Sequence, residues 1–140
     1  GGNKMADVVT TRTLFQGERK LITSYVNISD GSGSTTLLVD ASNLTPNSKN
    51  QAVDNVSLNR IWFNVSAATT APVQLQWKLT SGTQTPLLAL NETDNYDFSD
   101  IGGITNPKET NYNGDIEVIV PATASSGETY TLICEWIKHY

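Results

Sequence analysis

The chain has 140 residues, enough for one domain with a substantial core and too few for two ordinary domains. Its 9 Lys and Arg against 14 Asp and Glu give a net charge of -5, which argues against nucleic acid or an anionic membrane as a partner. The single cysteine, Cys134, excludes an intramolecular disulfide, so the fold depends on its core or on self-association.

The first four residues, Gly1–Lys4, precede Met5 and are interpreted as the remnant of an expression tag. Residues 5–140 are then expected to form a single domain, because no internal repeat or linker interrupts them. No segment after Met5 resembles a signal peptide or has the roughly 18 consecutive apolar residues that span a bilayer. We therefore expect synthesis in a cytoplasm.

Alternation of apolar and polar residues with a period of two predicts strands along the whole chain. Turn residues, among them Asn113-Gly114, separate these strands. The segment from Asp40 to Val53 is the best helical candidate, but it is polar and contains Pro46. We predict an all-β fold with little or no helix, an antiparallel β-sandwich of jelly-roll character. The predicted strands are Val8–Phe15, Lys20–Ile28, Thr35–Val39, Val56–Val65, Val73–Leu79, Leu87–Leu90, Asp115–Val120 and Glu128–Lys138.

Two of these strands have a more specific pattern. From Val56 to Val65 the apolar residues change parity, which predicts a bulge or a strand that crosses between sheets. The last strand has apolar residues on both faces, which predicts burial on both sides. Trp77 and Trp136 are in phase with aliphatic neighbours and are expected in the core.

Trp62 has the opposite parity from Ile61 and Phe63, and two interpretations of it remain open. It packs in a second face of the sheet, or it is exposed. Trp and Arg are common in binding hot spots, so an exposed Trp62 with Arg60 stacked beside it would form an interface anchor.

The segment from Tyr96 to Pro107 predicts a shaped, non-repetitive loop. It sets aromatic residues among acids and then continues with Gly102-Gly103 and Asn106-Pro107, which are incompatible with a plain strand or helix. Such a loop is expected to fit a partner surface. Its candidate contact residues are Tyr96, Phe98 and Ile101.

Residues for catalysis or metal binding are few. The only histidine, His139, is next to the last residue, where a mobile chain end is poorly suited to acid-base chemistry. Cys134 lies in an apolar strand and is expected to be buried and inert. We therefore expect no enzyme activity, no cofactor and no bound metal.

Four acidic residues lie close together in the sequence between Glu92 and Asp100. Glycosidases use paired carboxylates, and calcium sites use carboxylate and amide oxygens. The acids here are assigned to one loop and lack the spacing of an EF-hand, so solvated turn residues are the favoured interpretation. The residues concerned are Glu92, Asp94, Asp97 and Asp100, with Asn91 and Asn95.

Several sequence segments together resemble a group of short all-β virion proteins of tailed bacteriophages, including marine cyanophages. The resemblance covers nearly the whole chain. It rests on Val-Val-Thr-Thr-Arg (8–12), Asn-Ile-Ser-Asp-Gly-Ser-Gly (27–33), Leu-Val-Asp-Ala-Ser (38–42), Arg-Ile-Trp-Phe-Asn-Val (60–65), the Tyr96 to Pro107 segment, Asn-Gly-Asp-Ile (113–116) and Gly-Glu-Thr-Tyr-Thr-Leu (127–132).

This resemblance implies a structural role in the virion. By itself it does not distinguish capsid decoration from a tail or neck component. Between these we expect a decoration protein that stabilises the capsid, is made in the bacterial host cytoplasm, and has the major capsid protein and its own copies, as a homotrimer, for partners. The segments Ala6 to Phe15 and Tyr96 to Pro107 are the expected contacts. A tail or neck component, or a carbohydrate-binding module that uses Trp62 with Asn64 or Tyr96 with Asp97, is the alternative.

Overall fold

The computed structural model describes residues 8–65, 72–80, 85–90, 92–105, 112–122 and 129–140. Within these ranges nine strands form two antiparallel sheets, which confirms the predicted all-β sandwich. Sheet I contains, in spatial order, β1 (Val8–Gln16), β2 (Lys20–Ile28), β9 (Thr129–His139), β4 (Asn55–Val65) and β7 (Thr93–Asp97). Sheet II contains β3 (Ser34–Val39), β8 (Tyr112–Val120), β5 (Val73–Leu79) and β6 (Thr85–Leu90).

The strand pairing is nested. The strand β2 pairs with β9, β3 with β8, β4 with β7 and β5 with β6, all antiparallel. A long antiparallel hairpin rolled into two four-stranded sheets gives this order, and from it we infer jelly-roll connectivity for β2 to β9. The strand β1 is an addition at the β2 edge of sheet I.

The core lies between the two sheets and is formed by alternate residues of each strand. Trp77 and Trp136 are both buried, as predicted, and the indole Nε1 of Trp136 donates a 3.0 Å hydrogen bond to Thr23 Oγ1. This bond satisfies a polar group that would otherwise be costly to bury. Tyr25 and Tyr130 are also fully buried beside it in the core cluster.

The predicted irregularity in β4 is confirmed as a bulge. The register against β9 shifts between Leu58 and Arg60, so Asn59 is the extra residue. Leu58 and Ile61 are therefore both buried although their numbers differ in parity. One consequence is that Arg60 and Trp62 face away from sheet II.

Three local predictions were wrong. Asn113-Gly114 is not a turn but part of β8, and a positive φ of 87° at Gly114 lets the strand pass close to Asp54. The strand β7 was assigned to a loop because its residues are almost all polar. On the outer side of β9, Ile133 and Ile137 are only half-buried, since no second layer covers this side of sheet I.

Helix content is low, as predicted. Two 3-10 turns, Ala41–Asn43 and Ser99–Ile101, are the helical elements of the described ranges. The Asp40 carboxylate caps the first by accepting from the backbone N–H of Ser42. The second follows β7 and turns the chain back toward β4, where Ile104 bridges to Leu58.

Candidate functional site

The outer face of sheet I, the side that points away from sheet II, is the candidate site. No layer of the described structure covers it. Strand register sets its side chains in cross-strand rows. One row is Asn95, Trp62, Ile133 and Ser24, and the next is Thr93, Asn64, Thr131 and Val26. These residues come from four strands, so only the folded sheet brings them together.

Trp62 lies on β4, next to the β7 edge of this face, with 43% of its surface exposed. Beside it is a groove of about 480 Å³, lined by both rows. The lining residues are Trp62, Phe63, Asn64, Thr93, Asp94, Asn95, Thr131 and Ile133. The exposed interpretation of Trp62 is therefore confirmed, and the residue borders an open groove whose lining is more apolar than polar.

Arg60, the other candidate on β4, belongs to a row of charges. Its Nε lies 3.4 Å from Asp97 and 3.5 Å from Glu135, while Lys20 Nζ lies 3.3 Å from Glu135. Asn59 donates a further 2.8 Å hydrogen bond to Glu135, which is buried. The guanidinium of Arg60 forms ion pairs with these two carboxylates. Arg60 is therefore an ion-pair partner within this row rather than a stacking partner of Trp62.

The aromatic residues of the Tyr96 to Pro107 segment are part of the packing. Tyr96 and Phe98 are half-buried, and the Tyr96 ring centroid lies 5.1 Å from Phe63 and 6.0 Å from Phe98. Ile101 is 73% exposed in the 3-10 turn. Of the three candidate contacts in this segment, Ile101 is the one whose side chain is open to a partner.

The backbone of this segment is shaped as the glycines predicted. Gly102 and Gly103 both have positive φ, and the Gly103 N–H donates to the carbonyl of Phe98. Ile104 then forms a bridge back to Leu58 in β4. Asn106 and Pro107 lie outside the described residues.

The N-terminal strand, β1, is exposed along most of its length. Val8, Leu14 and Phe15 are 55%, 44% and 52% exposed. The strand pairs only with β2, and its inward-facing Thr11 and Thr13 are also exposed. Sheet II ends at β3, which lies against β2, so β1 extends beyond the sandwich.

The acidic residues do not converge on a reaction centre. Asp94 and Asp97 project to opposite sides of β7, and the pKa of Asp97 is lowered by its hydrogen bonds with Ser99 and by Arg60. In the described part of the chain no three His, Cys, Asp or Glu residues are grouped as metal ligands. Asn91 lies outside the described residues.

His139 belongs to a paired strand and not to a free chain end. It lies within β9, and its Nε2 is 2.5 Å from the hydroxyl of Ser57. Ser57 is fully buried, so its hydroxyl is inaccessible to a substrate, whereas His139 is half-buried. Burial also raises the pKa of the Cys134 thiol, as expected for an inert cysteine.

Comparison with known proteins gives no assignment. No protein-family model matches the chain, and no curated protein sequence matches it significantly. None of the helical elements among the described residues is long and apolar enough to cross a membrane. The site must therefore be interpreted from its own chemistry.

Thr93, Thr131 and Ile133 were not singled out from the sequence. For Thr93 the signal is the alternation Thr93, Asn95, Asp97 against Asp94, Tyr96, which has a period of two without the usual apolar face. An edge strand with one aromatic anchor shows this pattern, but so does a polar loop. Thr131 and Ile133 lie in the predicted last strand, on the side opposite to Trp136.

Proposed function

We propose that the protein is a non-enzymatic structural protein of a tailed-phage virion, which binds the outer capsid lattice as a decoration protein and associates with its own copies. The resemblance in sequence suggests the virion. The observation that carries the proposal is β1, a nine-residue edge strand exposed on both faces. Long exposed edge strands with apolar residues pair readily with other chains.

The two edges of sheet I support self-association. The β1 edge carries Arg12 and the exposed apolar residues, whereas the opposite edge, β7, carries Asp94 and Asp97 and is followed by exposed Ile101. A cyclic trimer requires two different patches on each subunit, each meeting the other on a neighbour. Opposite charges on the two edges favour this head-to-tail contact over pairing of like edges.

The decisive experiment uses light scattering and then co-sedimentation with undecorated capsids of the encoding phage. We expect a trimer that pellets with the capsids. The double variant Leu14→Ser, Phe15→Ser is expected to lose assembly while keeping its fold, because both side chains are exposed. Ile101→Ser tests the second edge in the same assay.

Leu37→Ser is the matched control, since Leu37 is an exposed apolar residue on β3 of sheet II. It should assemble and pellet as the unchanged protein does. A monomer that stays in the supernatant would refute the decoration role.

A further inference from the structure

We propose that the groove beside Trp62 is a binding site for a neutral saccharide. This inference is independent of the capsid-binding role, because it uses the outer face of sheet I rather than its edges. In this site the Trp62 indole is the platform on which the sugar ring stacks. The neighbouring row of amide and hydroxyl side chains forms hydrogen bonds with the hydroxyl groups of the sugar.

The platform is rigid and exposed. Trp62 is on β4, which is hydrogen-bonded to β9 on one side and to β7 on the other, so its backbone is fixed before any ligand arrives. Half-buried Ile133 on β9 lies directly beside Trp62 in the same cross-strand row. An indole flanked by an aliphatic side chain provides an apolar surface for the C–H face of a sugar ring.

The polar row provides the second half of the site. Asn64, Thr93 and Thr131 are directly opposite one another on three strands, and Asn95 is beside Trp62. No hydrogen bond between described residues engages the side chains of these four residues. An asparagine amide both donates and accepts, and a threonine hydroxyl does the same, which matches the paired hydroxyls of a sugar.

The distance between the Trp62 platform and the polar row fits a single sugar ring. Residues two apart on a strand are separated by roughly 7 Å along the sheet, and directly opposite residues by roughly 5 Å. The polar row is therefore next to the platform and within reach of the hydroxyls of a sugar stacked on Trp62. The groove volume of about 480 Å³ is in the range of about 300 to 1,000 Å³ typical of small-molecule sites.

Charge selects a neutral ligand. Asp94 lines the groove, but its side chain projects to the side of β7 opposite to Asn95. The outer-face carboxylates of Asp97 and Glu135 lie in the row next to that of Trp62 and would repel an acidic sugar. The nearest cation on β4, Arg60, is paired with Asp97 and Glu135, and the net charge of the whole chain is -5. Sialic acids, uronic acids and sulfated sugars are therefore disfavoured relative to neutral hexoses and N-acetylhexosamines.

The test combines a glycan array with a titration observed by NMR. The full chain is screened on an array of neutral oligosaccharides. Methyl glycosides of the sugars that bind are then titrated into protein labelled at its indole nitrogens. If no sugar binds on the array, the titration uses the methyl glycosides of glucose, galactose, mannose and N-acetylglucosamine. We expect one sugar class to shift the Nε1–H signal of Trp62, assigned with Trp62→Phe. The signals of buried Trp77 and Trp136 should stay unchanged.

Two variants locate the site. Trp62→Ala is expected to raise the dissociation constant at least about tenfold, and Asn64→Ala to weaken the same interaction, with unfolding midpoints close to that of the unchanged protein. Ile28→Ala is the control, since Ile28 is exposed on the same face but outside the groove. It should bind the sugar normally.

The proposal is overturned if the array and the titration are both silent, or if Trp62→Ala binds as tightly as the unchanged protein. The capsid assay separates this result from the first proposal. Trp62→Ala should still pellet with capsids, and the Leu14→Ser, Phe15→Ser variant should still bind the sugar.

Discussion

Gly114 is a residue whose identity the structure requires. Its φ is 87°, and an added Cβ would lie 2.4 Å from the carbonyl oxygen of Asp54. Gly102 has a similar φ of 78° with no atom near its missing Cβ. A residue with a Cβ would have a strained left-handed backbone at either position. Only at Gly114 would its Cβ also clash with a neighbouring atom.

We predict that Gly102→Ala lowers the free energy of unfolding by about 1 kcal/mol, and Gly114→Ala by about 3 kcal/mol, because only the second adds a clash. Urea denaturation of both variants measures the difference. Equal losses would mean that the chain around Asp54 moves aside freely.

Cys134 gives a second test at the residue scale. The thiol is fully buried, and its raised pKa leaves almost no thiolate at neutral pH. We expect only a slow reaction with Ellman's reagent in the native protein, and a fast and complete reaction in denaturant. Under native conditions the slow residual rate should follow the opening of sheet I, and a fast native reaction would contradict the buried position.

Among the elements, β7 depends on one side chain. Its Thr93, Asn95 and Asp97 are exposed, and Tyr96 attaches the strand to the core through Phe63 and Phe98. This single attachment explains why the strand resembles a loop in sequence. It also makes Tyr96 a packing residue first, whatever the surface of β7 binds.

We predict that Tyr96→Ala costs about 2 kcal/mol of unfolding free energy, less than a fully buried aromatic because Tyr96 is half-buried. Ile101→Ala, in the adjoining turn, should change it by less than about 0.5 kcal/mol. Thermal or urea denaturation distinguishes the two. A comparable loss at Ile101 would mean that the turn packs on the body of the protein.

For the whole molecule, exposure of β1 predicts a gradient of stability across sheet I. Hydrogen exchange should be slowest in β9, which lies between β2 and β4, and much faster in β1, which is paired on one side only. We expect β1 to become more protected as protein concentration rises, if its free edge pairs with a second copy. If β1 were as protected from hydrogen exchange as β9 at high dilution, this would contradict the exposed position of β1 beyond the sandwich.

The sequence by itself determined the fold class, most strand positions, the buried Trp77 and Trp136 and the presence of an irregularity in β4. These features follow from period-two patterning, which is local and directly visible in the chain. For the same reason it indicated that Trp62 has the opposite parity from its buried neighbours. It could not distinguish whether a second layer covers that face.

Only the tertiary structure decided which residues share a surface. Asn64, Asn95 and Thr131 are brought beside Trp62 by strand register between β4, β7 and β9, and register depends on pairing across long stretches of sequence. The same pairing turned Tyr96 and Phe98 inward and engaged Arg60 with two carboxylates. Patterning fixes which side of a strand a residue faces, whereas its neighbours on that side depend on how the strands are ordered in the folded sheet.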